Sequence, residues 1–299
     1  MKTRILTVIF ALFTLSTYVF GQDYAFKVLA NKGTNEIKTG ESWQPLRTGA
    51  SLKSGDEVKL SDNAYIGLVH KNGKPMELKT AGSYKVADLA AKIGGGSSVL
   101  NKYTDFILSS NSAEAKKNRL SATGAVHRAT ESASIKLLLP ENQHSDIYNN
   151  NVVVNWDGSK VAGPYVVVVR NMFDEEITKI ETPETSVQID LSDPKFAAEN
   201  AILVEVTSKS DTKQALKQHM IKKLAPAEQE KIKKSLSEIM GEVQEQNALN
   251  KLILAGFYEQ NNLFIDAISA YEDAIRISPD VPSYKEAYEE FLLRQGLKK

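Results

Sequence analysis

Residues 248–279 read ALNKLILAGFYEQNNLFIDAISAYEDAIRISP, and this stretch decides the C-terminal architecture. Small residues at Ala255, Ala267 and Ala274 let two helices approach closely, Tyr258 and Tyr271 fill the space around them, and Pro279 ends the second helix. Its neighbours share the helical period. Pro226 sits where a first helical residue is expected, and Ile232, Leu236, Ile239, Met240 and Val243 follow at three- and four-residue steps. Downstream, a helix over 283–295 holds Tyr284, Ala287, Tyr288, Phe291 and Leu292 on one side.

With Leu254 added, these positions resemble a tetratricopeptide repeat. The pattern departs from the family at Lys251, where Trp is favoured, and at Asn262, where Gly is usual; neither change breaks the fold. In the following helix Glu289 replaces the small close-packing residue, so 283–295 reads as a cap or the start of a degenerate repeat. The resemblance implies a concave groove lined by the first helix of the repeat. Carried over position by position, it places Leu249, Leu252, Gly256, Glu259 and Gln260 on that groove as partner-binding residues. The competing reading packs Leu249 and Leu252 against the preceding helix.

Upstream the period changes to that of strands. Seven short runs, at 135–139, 152–156, 165–170, 177–181, 187–191, 202–208 and 216–222, point to a two-sheet sandwich spanning 131–224. Val152, Val154 and Trp156 share one face, and Tyr165, Val167 and Val169 the facing one. The Trp156 to Tyr165 spacing resembles the early strands of a fibronectin type III or related immunoglobulin-like domain, which makes Trp156 a core residue.

Residues 93–130 read as a linker with one helix, 99–108, whose Val99, Leu100, Tyr103, Phe106 and Ile107 recur at helical spacing. Gly94, Gly95 and Gly96 before that helix are not a phosphate loop, because no Lys-Ser/Thr pair follows and no buried strand precedes. They read as a hinge with a serine N-cap.

Residues 22–92 carry strand signals at 26–30, 42–46, 57–60, 64–70 and 75–78, and Asn72-Gly73 marks a tight hairpin. Within WQPLRTGASLKSGD, residues 43–56, the residues Trp43, Leu46, Gly49, Leu52, Gly55 and Asp56 keep a fixed rhythm. That spacing resembles the FecR-like periplasmic β domain. It implies a small β core filled by Trp43, Leu46 and Leu52, with turns at Gly49 and Gly55 and Asp56 bonding backbone amides. Such domains are non-catalytic modules of envelope signalling or assembly proteins.

The first 21 residues read as a cleaved secretory signal peptide. Lys2 and Arg4 precede an apolar run, residues 5–20, that is short for a membrane span and interrupted by Thr and Ser. The chain of 299 residues balances 37 Lys+Arg against 37 Asp+Glu and has no Cys. Neutral charge disfavours a polyanion partner, so no nucleic acid is expected. The lack of Cys excludes disulfides, thiolate metal sites and a Cys nucleophile.

His70, His127, His144 and His219 are scattered without metal-binding spacing and read as surface residues. His144-Ser145-Asp146 is a triad only on paper, because a nucleophile needs a strained turn and no Gly-x-Ser-x-Gly is present. The acidic pairs at Asp56-Glu57 and Asp174-Glu175-Glu176 lack a calcium-loop pattern. No catalytic, cofactor or metal residue is assigned.

The expected fold class is multi-domain, β plus α: a small FecR-like β domain, a β-sandwich, and C-terminal tetratricopeptide-like helical hairpins over 225–299. The expected function is that of an exported, non-enzymatic envelope protein of a Gram-negative bacterium. It would act in the periplasm as a scaffold or adaptor for an envelope or outer-membrane protein partner, with no integral membrane span in the mature chain. The rivals are a sensor or ligand-binding module using strand addition at the FecR-like edge, and an envelope hydrolase.

Overall fold

A computed structural model of the chain describes residues 24–94, 99–112, 114–115, 117, 135–140, 145–210, 218–241 and 246–298. The expected signal peptide, most of the expected linker, His127 and His144 lie outside the described residues. The fold is mixed β plus α: four sheets, then a C-terminal run of helices.

The N-terminal unit has eight strands, β1 (Phe26–Lys32), β2 (Glu36–Thr39), β3 (Ser42–Pro45), β4 (Ser51–Leu52), β5 (Glu57–Leu60), β6 (Tyr65–His70), β7 (Pro75–Leu78) and β8 (Gly82–Lys85), followed by the short helix α1 (Val86–Ala91). They form two four-stranded sheets, ordered β4-β1-β6-β7 and β3-β2-β5-β8. Phe26, Val28, Leu52, Val58, Ile66 and Leu68 close a core between them. Leu46 and Leu52 are buried as expected, Gly49 takes φ +87°, and Asp56 accepts from the Lys53 amide at 2.7 Å.

Trp43 corrects the sequence reading. It is 38% exposed rather than in the core. Its register partner on β2 is Lys38, whose side of the sheet faces outward, so alternation sends the indole outward too. There Lys38 and Lys59 lie 5.9 and 6.0 Å from the ring centroid.

The same unit has a second apolar face. Along β6, Ile66 and Leu68 point into the N-terminal core, whereas Tyr65 and Val69 join the core of the rest of the molecule. On β1 the pairing with β6 shifts register between Val28 and Ala30, and Leu29 and Ala30 turn to that shared core as well. The unit therefore buries both sides of its first sheet.

Helix α2 (Val99–Ser110) packs there through Leu100, Tyr103 and Ile107. Strands β9 (Lys136–Leu137), β10 (Ser145–Ile147), β11 (Asn151–Asp157), β12 (Tyr165–Arg170), β13 (Glu176–Thr182), β14 (Ser186–Asp190), β15 (Ala201–Ser208) and β16 (His219–Lys223) make the sandwich. Its sheets run β14-β11-β9 and β10-β16-β15-β12-β13, with only β10–β16 parallel among their pairings. Val152, Val154 and Trp156 meet Tyr165, Val167 and Val169 as predicted, and the Trp156 and Tyr165 rings cross edge-on at 5.3 Å.

Four helices complete the chain: α3 (Pro226–Met240), α4 (Ala248–Gln260), α5 (Phe264–Ile277) and α6 (Pro282–Arg294). Pro226 and Pro282 open their helices, where a missing N–H costs nothing. Asn247 caps α4 by accepting from the Asn250 amide at 2.8 Å. Between α4 and α5, Asn262 turns at φ +59°, a conformation Asn tolerates. Ala255, Ala267, Ala274 and Tyr271 are fully buried at the α4–α5 seam.

Among the described residues, no helix is long and apolar enough to cross a membrane.

Candidate functional site

The expected groove residues all lie on the face of α4 that meets α2 and the N-terminal sheet. Leu249, Leu252 and Glu259 are at most 5% exposed, and Gly256 is buried. The open groove is therefore corrected to an occupied one. The occupant belongs to the chain itself. A Cβ on Gly256 would stand 2.8 Å from the Ile107 side chain and 3.3 Å from the Tyr103 carbonyl, so glycine is what lets α2 lie against α4. At the other end of α4, a Leu249 methyl lies 3.0 Å from where a Gly67 Cβ would sit, and the Leu249 amide donates to Glu77 at 3.4 Å. The cover comes from α2 and from β6–β7, which neither sequence reading of the two leucines named.

Glu259 is used internally. Arg294 of α6 grips both of its carboxylate oxygens at 3.0 Å, and the Tyr271 hydroxyl donates at 3.2 Å. Burial pushes the Glu259 carboxyl up, and the Arg294 guanidinium opposes that shift. Another Arg294 nitrogen donates to Asn111 Oδ1 at 3.0 Å, tying the end of α2 to the same knot. Gln260, half-buried, donates to the Lys102 carbonyl at 3.4 Å.

Part of the concave face stays open. Between α2, α6 and the loop before β4 lies a cleft of about 720 Å3. Leu252 forms part of its floor with Leu29, Ile107 and Ala287, while Asp105, Glu286 and Glu290 stand around it. Lys27 bonds Asp105 across one side, and Thr48 meets Ser283 at 3.4 Å across another. Five separate stretches of the chain build this cleft, so no single motif announces it.

Above α5 a second contact fixes the helices to the sandwich. Asp266 is 1% exposed, and its two oxygens accept from the consecutive Tyr148 and Asn149 amides, each at 2.8 Å. One turn on, Ser269 donates to the Asn151 carbonyl at 3.1 Å. Another turn on, Glu272 accepts from Asn155 Nδ2 at 3.0 Å, and Tyr288 meets the same nitrogen at 2.8 Å. Burial pushes Asp266 up to about 6, against the pull of the two amides, and also raises Glu272.

Raised carboxyl groups often mark catalytic sites. Here each is anchored in a bond between elements. His219 is buried rather than on the surface, and its Nε2 lies 3.0 Å from Ser145 Oγ. Ser145 opens β10, pairs with Ile221 of β16 and is buried, whereas a serine nucleophile is presented on an exposed turn. Among the described residues, no group of three His, Cys, Asp or Glu side chains converges as a metal site.

No protein-family model matches this chain, and no curated protein matches it significantly.

Proposed function

We propose that this chain is an exported, non-enzymatic scaffold of the cell envelope, working in the periplasm of a Gram-negative bacterium by presenting a rigid three-part body to a protein partner. One observation carries the reading: a single apolar core runs from the outer face of the N-terminal sheet through α2 and the helices into the sandwich. Such a body fixes the distance and orientation of everything attached to it. The N-terminal β unit, FecR-like by its 43–56 rhythm, and the tetratricopeptide-like hairpin are its ends, and the cleft beside Leu252 is its docking place. The buried carboxylates of Glu259, Asp266 and Glu272 each bond a second element, which supports a structural role.

Cross-linking in intact cells followed by purification tests this. The expected outcome is one defined envelope protein captured in a stable ratio. Protease added to intact cells should leave the chain whole until the outer membrane is opened; digestion beforehand would contradict a periplasmic location.

The sensor reading is favoured by one feature, the edge strand β3, whose four residues are all exposed. Trp43→Pro would block strand addition there, because the Leu46 amide bonds the Asn35 carbonyl of the β2 side and alternation turns the Trp43 amide to the free edge. Loss of capture by this variant, with cleft variants unaffected, would move the docking place to that edge.

A further inference from the structure

Beside the contact between α5 and the sandwich lies a second cleft, of about 410 Å3, within the usual 300–1,000 Å3 range of ligand sites. Here α4 and α5 face the turn before β11 and the strand β14. Asn150 comes from that turn, Asn151 opens β11, and Gln188 and Asp190 stand on β14, with Lys251 and Tyr258 opposite on α4. Its aliphatic lining is confined to Leu254 and Ala270.

Most charged groups in this cleft are already engaged. Lys251 bonds one oxygen of Asp273 at 2.7 Å and Arg276 the other at 2.7 Å, while both oxygens of Asp266 accept from backbone amides. Asp190 is engaged on one side only: its Oδ1 accepts from the Ser192 amide and hydroxyl, and among the described residues its Oδ2 accepts from none.

The uncharged groups are open. Among the described residues, the carboxamides of Asn150, Asn151 and Gln188 make no side-chain hydrogen bond, and Asn151 Oδ1 is buried in that state. A buried oxygen without a donor calls for a partner from outside the chain. Tyr258 Oη accepts from Asn149 Nδ2 at 2.9 Å and keeps its own proton to donate. Each carboxamide offers two donors and an acceptor oxygen.

A ligand suited to these groups offers donors and acceptors in alternation, brings no net charge and needs little apolar wall. Hydroxyls meet the first requirement, because each gives and accepts at once. A peptide would bring side chains that Leu254 and Ala270 alone cannot cover. An anion would find Lys251 held by Asp273, with Asp190 nearby.

The geometry points to an uncharged saccharide as the ligand of this cleft, with its hydroxyls bonded by Asn150, Asn151 and Gln188, one more donating to Asp190 Oδ2 and another accepting from Tyr258. This goes beyond the scaffold reading and is independent of it.

Saturation-transfer NMR on the purified chain tests the proposal, with N,N′-diacetylchitobiose and maltose as the probes. At least one should bind, with an affinity that added salt leaves unchanged, since no ionic attraction is involved. Asn150→Ala and Gln188→Ala should each weaken that binding about fivefold, the loss of one hydrogen bond, and Asp190→Asn about tenfold. All three side chains are exposed, so circular dichroism should be unchanged.

Gln229→Ala, at an exposed amide on α3 outside the cleft, should change nothing. An equal loss there would mean non-specific association and overturn the proposal. Weakening by salt would mean selection by charge and overturn it too. An acetylated, amidated alanine tripeptide should not bind; if it binds as well as the sugar and loses that binding in Gln188→Ala, the cleft belongs to polypeptide and the proposal falls. Failure of both sugars would leave these groups to water, which also overturns it.

Discussion

The helical hairpin touches its neighbours in two different ways. Toward α2 and β6–β7, α4 presents Leu249, Leu252 and Gly256, and contact is made by close apolar packing. Toward the sandwich, α5 presents Asp266, Ser269 and Glu272, one per turn, and contact is made by hydrogen bonds to β11 and the turn before it. The apolar seam is bound mainly by shape, since Leu249, Leu252 and Gly256 carry no titratable group. The polar seam is bound by direction, and it keeps two carboxyl groups where their charge is costly. One hairpin thus joins its two neighbours by interactions that respond to different perturbations.

The largest effect is expected at the knot between the two seams. Arg294→Ala would strand Glu259 in the interior, a loss of about 3–5 kcal/mol while the carboxylate stays ionised. Urea unfolding should show a smaller deficit in acid, because protonated Glu259 needs no partner. An equal deficit across pH would mean that Arg294 contributes packing alone.

Next in size is the polar seam. Asp266 has its folded pKa raised to about 6 from an ordinary value near 3.8. Its stabilising contribution is therefore complete below the unfolded pKa and is lost as pH rises through about 6, a change of roughly 2–3 kcal/mol. Asp266→Asn should flatten that part of the stability curve between pH 4 and 7. If the variant keeps the wild-type slope, another group is responsible and the seam is not pH-linked through Asp266.

The apolar seam should respond to volume instead. Gly256→Ala is expected to cost about 1–3 kcal/mol through the contact with Ile107. Adding Ile107→Val should recover part of that loss, which a double-mutant cycle would read as coupling. Strict additivity would separate the two residues and undo the account of α2 lying on α4.

The smallest effect belongs to Trp43→Ala. An exposed side chain on an edge strand should change stability by no more than about 0.5 kcal/mol. A large loss in thermal melting would return the indole to the core.

Most element positions were legible in the sequence, because alternation along 152–156 and 165–170 and the helical period of 248–279 are local signals. Contacts between units were not. The groove positions carried the right face of α4 but the wrong neighbour: a helical sequence shows which side is apolar without showing what covers it. Leu100, Tyr103 and Ile107 held the missing information, since the apolar stripe of the expected linker helix also required a cover. Gly256 held the rest, as a small residue opposite a bulky aliphatic one. Trp43 misled for the opposite reason. Its rhythm fitted a core position, yet register against Lys38 turned it outward, and register is settled by pairing across strands.

The Tyr65 and Tyr284 hydroxyls meet at 2.6 Å, and the Asn31 amide donates to Ser283 Oγ at 3.2 Å. Partners so distant along the chain set the order of assembly. While the last helix is still being synthesised, α2 and α4 can already cover part of the outer face of β1 and β6, but the Tyr65 hydroxyl and the Asn31 amide still lack their α6 partners. These contacts join residues 252 and 219 positions apart, so closure here carries the cost of a long loop and slows folding. A sheet held open in this way stays exposed to other chains for longer than its local contacts alone would require.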